Sequence, residues 1–163
     1  MTAIPRGFSY ETLAVGQRST SKGRTITEAD HSLFMMLTGA WHPIHADEEY
    51  AKTTPLGRRV AQGTLGIALA LGHLEADLLE SAEPLVAALG ITDWAYKGPI
   101  FIGDTLHIAV EIVGKEPTRS GERYIVSRRI ELINQEGKIV QHGTVRSMFQ
   151  RRAGTANPPD TTK

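Results

Sequence analysis

Residues 64–79 read TLGIALALGHLEADLL, and from Leu106 onward the pattern becomes Leu106, Ile108, Val110 and Ile112 alternating with His107, Ala109, Glu111 and Val113. The first stretch is apolar almost all round for half its length, which predicts a helix buried on most sides. At 1.5 Å per residue its sixteen positions span about 24 Å, enough to cross a small domain. The second stretch has the period of two that belongs to a half-buried strand. Residues 124–133 and 139–149 repeat that character, with Gly121 and residues 134–137 (NQEG) as turns between them. Such spacing reads as antiparallel hairpins. One long buried helix followed by a meander predicts an α+β fold, an antiparallel sheet wrapped around a central helix.

Upstream, residues 27–30 (TEAD) form a capping box in which Thr27 caps and Asp30 returns to it. Leu33, Phe34 and Leu37 follow at helical spacing until Gly39 stops the helix. Asp47 caps a second, short helix over residues 48–52. Residues 91–97 and 19–26 are weaker strands, and 81–90 reads as a loop. No linker or repeat interrupts the chain, so residues 1–152 form one domain. The polar stretch 153–163 (AGTANPPDTTK) reads as a disordered tail.

The 163 residues are 40% hydrophobic and 22% charged, which suits one soluble domain. Eighteen Lys+Arg balance eighteen Asp+Glu, and the basic pairs at 58–59, 128–129 and 151–152 are too short for a phosphate-tracking face. Nucleic acid is therefore not the expected partner. With no cysteine, disulfides, thiolate metal sites and a cysteine nucleophile drop out. No signal-peptide pattern opens the chain and no apolar run is long enough to span a bilayer, so a cytoplasmic location is expected. Charge balance also leaves little repulsion between copies of the chain.

Chemistry concentrates in residues 37–47, LTGAWHPIHAD, a loop between two helices. His42, His45 and Asp47 invite a metal reading, but Pro43 between the histidines removes the shared helix face that i/i+3 ligands would use. The other reading of the spacing is that the histidines hydrogen-bond the loop and Asp47 caps a helix. Neither a G-x-S-x-G elbow, a P-loop, a G-x-G-x-x-G fingerprint nor H-E-x-x-H is present. His73 on the central helix reads as a core residue, and Trp94 and Tyr96 as strand packing. His107 and His142 read as sheet-surface or interface residues and His31 as part of an exposed helical turn. Arg128 and Arg129 point to opposite faces of a strand, where a solvated face outweighs a phosphate contact.

The loop resembles the hydratase motif of MaoC-like (R)-specific enoyl-CoA hydratases, S/T-G-D-x-N-P-x-H-x-D, through Thr38, Gly39, Pro43, His45 and Asp47. Residues 24–30 (RTITEAD), Tyr50-Ala51, 60–63 (VAQG) and 99–106 (PIFIGDTL) are similar to further family segments, in order, over residues 8 to 150. The resemblance implies the hot-dog fold and a carbon–oxygen lyase that adds or removes water across C2–C3 of an acyl-CoA thioester. It implies His45 as acid/base and the Gly63 N–H as the oxyanion donor, with Trp41, His42 and Gln62 near the substrate. It implies a homodimer or a multiple of one, no metal, and no cofactor beyond the coenzyme A of the substrate. The acyl group is an enoyl or (R)-3-hydroxyacyl chain, a branched or dicarboxylic one included.

One position departs. Ala40 stands where the family has its catalytic Asp, and alanine can neither donate nor accept a proton. A positioned acid/base group contributes about 10²–10⁴-fold. Three readings stay open: an Asp-to-Ala variant of a working hydratase, altered chemistry in which His42 takes over, or a non-catalytic acyl-CoA-binding subunit. A hot-dog thioesterase is the rival enzyme, although Glu75 and Asp77 sit far along the helix from Gly63.

Overall fold

A computed structural model describes residues 2–73 and 81–152. The described elements run β1 (Arg18–Thr20), β2 (Arg24–Thr25), α1 (Glu28–Thr38), α2 (Pro43–Ala46), α3 (Glu48–Lys52), α4 (Gly63–His73), β3 (Leu85–Tyr96), β4 (Thr105–Pro117), β5 (Arg123–Ile133) and β6 (Ile139–Gln150). The strands form an antiparallel sheet in the order β1-β4-β5-β6-β3, with β2 beside β4. Helix α4 packs on its inner face, the hot-dog arrangement that the helix-plus-meander reading predicts.

Alternation builds the core. Leu106, Ile108, Val110 and Ile112 of β4 face inward with Tyr124, Val126, Ile130 and Leu132 of β5 and Val145 and Phe149 of β6, against Leu65 and Ala70 of α4. Burying each such side chain contributes roughly 1.5–3 kcal/mol, offset by chain entropy. Arg128 falls in the inward register between Val126 and Ile130; it is buried and donates to the Ser147 hydroxyl, while Arg129 is exposed. The opposite-face expectation holds, but the solvated-face reading fails for Arg128.

Helix α1 begins with the expected capping box. Asp30 N–H donates to Thr27 Oγ1 at 3.2 Å and Thr27 N–H donates to Asp30 Oδ2 at 2.9 Å. Asp47 caps α3 as expected, accepting from Tyr50 N–H at 3.0 Å.

Other expectations need correction. The central helix is not covered all round: Thr64, Ala68 and Gly72 face outward along one side. One sheet face against one helix covers only half of its circumference, and small residues there expose little apolar area. The remainder of the predicted helix and the predicted tail, 153–163, lie outside the described residues, as does the His73 side chain. Strand β3 starts at Leu85 rather than 91 and so takes in half of the expected loop, pairing with β6 through three register shifts. The weak strand at 19–26 divides into β1 and β2, both on β4. Among the described residues no helix is long and apolar enough to cross a membrane.

Candidate active site

Pro43 does not merely separate the two histidines. It occupies the first position of α2, where its missing N–H costs nothing and its fixed φ suits the helix. His42 becomes the N-cap, and its Nδ1 accepts from Ile44 N–H at 3.2 Å. That ring is therefore occupied in holding a turn, and it stands 6.3 Å from the His45 ring.

His45 is held from both ends. Its Nδ1–H donates to the Val60 carbonyl at 2.7 Å, and its own carbonyl accepts from His31 Nε2–H at 2.8 Å. A neutral imidazole with Nδ1 protonated keeps its lone pair on Nε2. His31 is fully buried, so the exposed-turn reading is wrong. It shares the inner face of α1 with Met35, one turn on, while Leu33, Met36 and Leu37 point outward.

Val60 is fixed in turn. Its N–H donates to the Ile44 carbonyl at 3.3 Å, it bridges to Phe101, and Ala61 N–H donates to Ile100 O at 2.8 Å. Just before it, Arg59 grips both carboxylate oxygens of Glu28 at 2.9 and 3.0 Å, and Glu48 at 3.0 Å. Hydrogen bonds from Arg59 hold the Glu28 carboxyl below its ordinary range, and the same partners raise the guanidinium. This charged tie joins α1 and α3 to the strand-like segment that carries the Val60 carbonyl.

Ala40, His45, Gln62, Gly63, Thr64 and Tyr96 line one open recess. Gly63 is the first residue of α4, so its N–H has no intrahelical acceptor and sits at the positive end of the dipole. A Cβ at Gly63 would lie 2.6 Å from Tyr96 Cε1, so any larger residue there would have to displace the ring. Gln141, buried between helix and sheet, donates to the Gly63 carbonyl at 3.0 Å and accepts from the Trp94 indole at 3.2 Å. Both ends of the Gln62 carboxamide are buried without a hydrogen-bond partner among the described residues. An unmet buried polar group costs about 1–3 kcal/mol.

The structure thus brings together Ala40, His45, Gln62 and Gly63. It leaves Trp41 out, 55% exposed beside the recess, and commits His42 to the cap. Sequence reasoning missed Tyr96 and the Val60 carbonyl; no side-chain pattern marks a backbone acceptor. His31 carried a signal, its i/i+4 spacing with Met35. Among the described residues no group of three His, Asp or Glu is placed to hold a metal ion.

The family described as the MaoC-like domain matches residues 11–133, which include every residue of the recess. The chain belongs to the MaoC-like domain family. An (R)-specific enoyl-CoA hydratase of Rhodospirillum rubrum is 31% identical over 88% of this MaoC-like chain and 92% of its own. The crystal structure of a MaoC-like dehydratase from the same organism superposes with a TM-score of 0.81, at 28% identity over 90% and 99% of the two chains. An Archaeoglobus structure described as a monoamine oxidase regulatory protein gives 0.84 at 30% identity, over 94% and 100%.

Proposed function

We infer that this MaoC-like protein is a carbon–oxygen lyase of the (R)-specific enoyl-CoA hydratase/dehydratase type. The observation that carries this reading is the bond from His45 Nδ1–H to the Val60 carbonyl. It sets the tautomer whose Nε2 exchanges a proton with water in the recess, beside the first N–H of α4. In hydration, OH adds to C3 and H to C2, and negative charge develops on the thioester oxygen. The Gly63 N–H, fixed and backed by the helix dipole, suits that oxygen. The Gln62 carboxamide offers one donor and one acceptor to the bound thioester or the reacting water. Coenzyme A belongs to the substrate, and the chemistry needs no further cofactor.

Ala40 faces the same recess without a proton-transfer group, so this chain is expected to turn over slowly. Hydration of crotonyl-CoA by Ala40→Asp should exceed that of the parent by at least about 10²-fold. A negligible rate in both would sink the hydratase reading for this substrate. Release of free thiol without loss of the enoyl absorbance would point to the thioesterase instead.

The reading includes a homodimer. Its support is β3, an edge strand whose Leu85, Val86, Leu89 and Ile91 stand exposed. A second copy covering that edge would also wall the open recess through Tyr96, the last residue of β3.

A further inference from the structure

Next to the site lies a second recess of about 560 Å³, lined by Arg58, Lys97, Phe101, Asp104 and Lys138 among others. It is carried by the chain segments that also line the candidate active site. Arg58 precedes by two residues the Val60 whose carbonyl holds His45, and Lys97 follows the Tyr96 that rests against Gly63. The two arginines of the 58–59 pair are used in opposite ways. Arg59 is engaged by Glu28 and Glu48, whereas Arg58 makes no ion pair among the described residues. Arg58 instead places its guanidinium over the Phe101 ring, its Cζ 3.9 Å from the centroid. Stacking orders a guanidinium without neutralising it, and leaves its edge donors free for a planar or tetrahedral anion. Lys97 is exposed and likewise has no ion pair among the described residues. The other charged groups of the recess are already engaged. Lys138 pairs with Glu136 at 2.7 Å. Asp104 is buried and accepts from Phe101 N–H at 2.7 Å and Gln135 Nε2 at 2.9 Å. The lining therefore sets Arg58, Lys97 and Lys138 against Asp104 and Glu136, a net positive charge in a chain whose total charge is zero, and Arg58 and Lys97 have no ion pair among the described residues.

We propose that Arg58 and Lys97 form the seat for the phosphate groups of the coenzyme A carrier, so that the protein selects a free CoA ester over its unphosphorylated pantetheine counterpart. The proposal rests on the thioester reading above. A carrier ester with its acyl end at Gly63 and His45 passes out along the 96–97 and 58–60 segments, and its phosphates meet the two cations outside the reacting centre.

The test compares butyryl-CoA, saturated and so not hydrated, with S-butyryl-pantetheine by titration calorimetry on the full chain and on Arg58→Ala/Lys97→Ala. Both side chains are exposed, so the double variant keeps the fold, and its thermal unfolding checks this. The dissociation constant for butyryl-CoA should rise about tenfold or more in the variant, while that for butyryl-pantetheine moves by less than about twofold. Added salt should weaken only the CoA ester, and only in the parent. Equal losses for both esters, or an unchanged affinity for butyryl-CoA, would overturn the seat. If in addition Ala40→Asp hydrates crotonyl-CoA, the functional reading survives and only the seat falls. If neither ester binds the parent chain, both fall.

Discussion

Strand β1 closes one edge of the sheet with three residues, and its Arg18 pairs with Glu111 of β4, whereas β3 closes the other with twelve residues, of which Leu85, Val86, Leu89 and Ile91 stand in solvent. A short, charged strand offers a poor template for another chain, and the first edge is blunted in that way. The second carries three register shifts and a left-handed Asp93 at φ 53°, which twist it, but its only charged residue is that aspartate. Bulges alone leave the apolar surface in place. The difference is what the proposed homodimer rests on: β3 offers an apolar edge for a second copy to cover, and β1 does not. The outward Leu33, Met36 and Leu37 of α1 enlarge the apolar surface of the protomer further.

Three substitutions bear on that contrast, in decreasing order of effect. Ile130→Ala, on a strand that belongs to neither edge and fully buried against α4, should lower the unfolding free energy by about 2–5 kcal/mol in denaturant titration. A loss that small side-chain repacking absorbs, below about 1 kcal/mol, would mean that the inner face is not the common support of both edges. Leu89→Lys with Ile91→Lys should raise the dimer dissociation constant at least about tenfold in sedimentation, because a lysine inside an interface is an unpaired buried charge. The far-UV circular dichroism should stay unchanged, and a dimer that persists would refute the covered edge. Arg18→Ala should cost less than about 1 kcal/mol and leave the assembly state alone, since exposed ion pairs contribute little. If it instead drives association, the pairing with Glu111 is what keeps that edge free.

Much of this was legible along the chain because it depends on neighbours in sequence. Thr27 and Asp30 are three residues apart, so their box forms wherever the helix starts. The period of two in β4 predicts which side of the strand faces the core. His45 was legible as the candidate reactive residue through the motif around it. The partner that sets its tautomer was not, because the Val60 carbonyl lies fifteen residues away and any residue would supply one. His31 was misplaced for a related reason. A polar side chain near a helix start reads as solvated until the carbonyl it serves is known. Arg128 has the same history: alternation puts it inward, and composition argues against that, but Ser147 on the next strand accepts its proton.

The sequence by itself determined the starts of α1 and α3, the period of two in β4, the family pattern, and Ala40 at the position where the resemblance expects an Asp. These are local facts, written in adjacent residues. Tertiary structure alone decided which nitrogen of His45 bonds the Val60 carbonyl, that Tyr96 presses on Gly63, and that Arg58 has no ion pair among the described residues while Arg59 has two. Each of those depends on groups far apart in the chain, and distance in space is set only when α4 settles on the sheet.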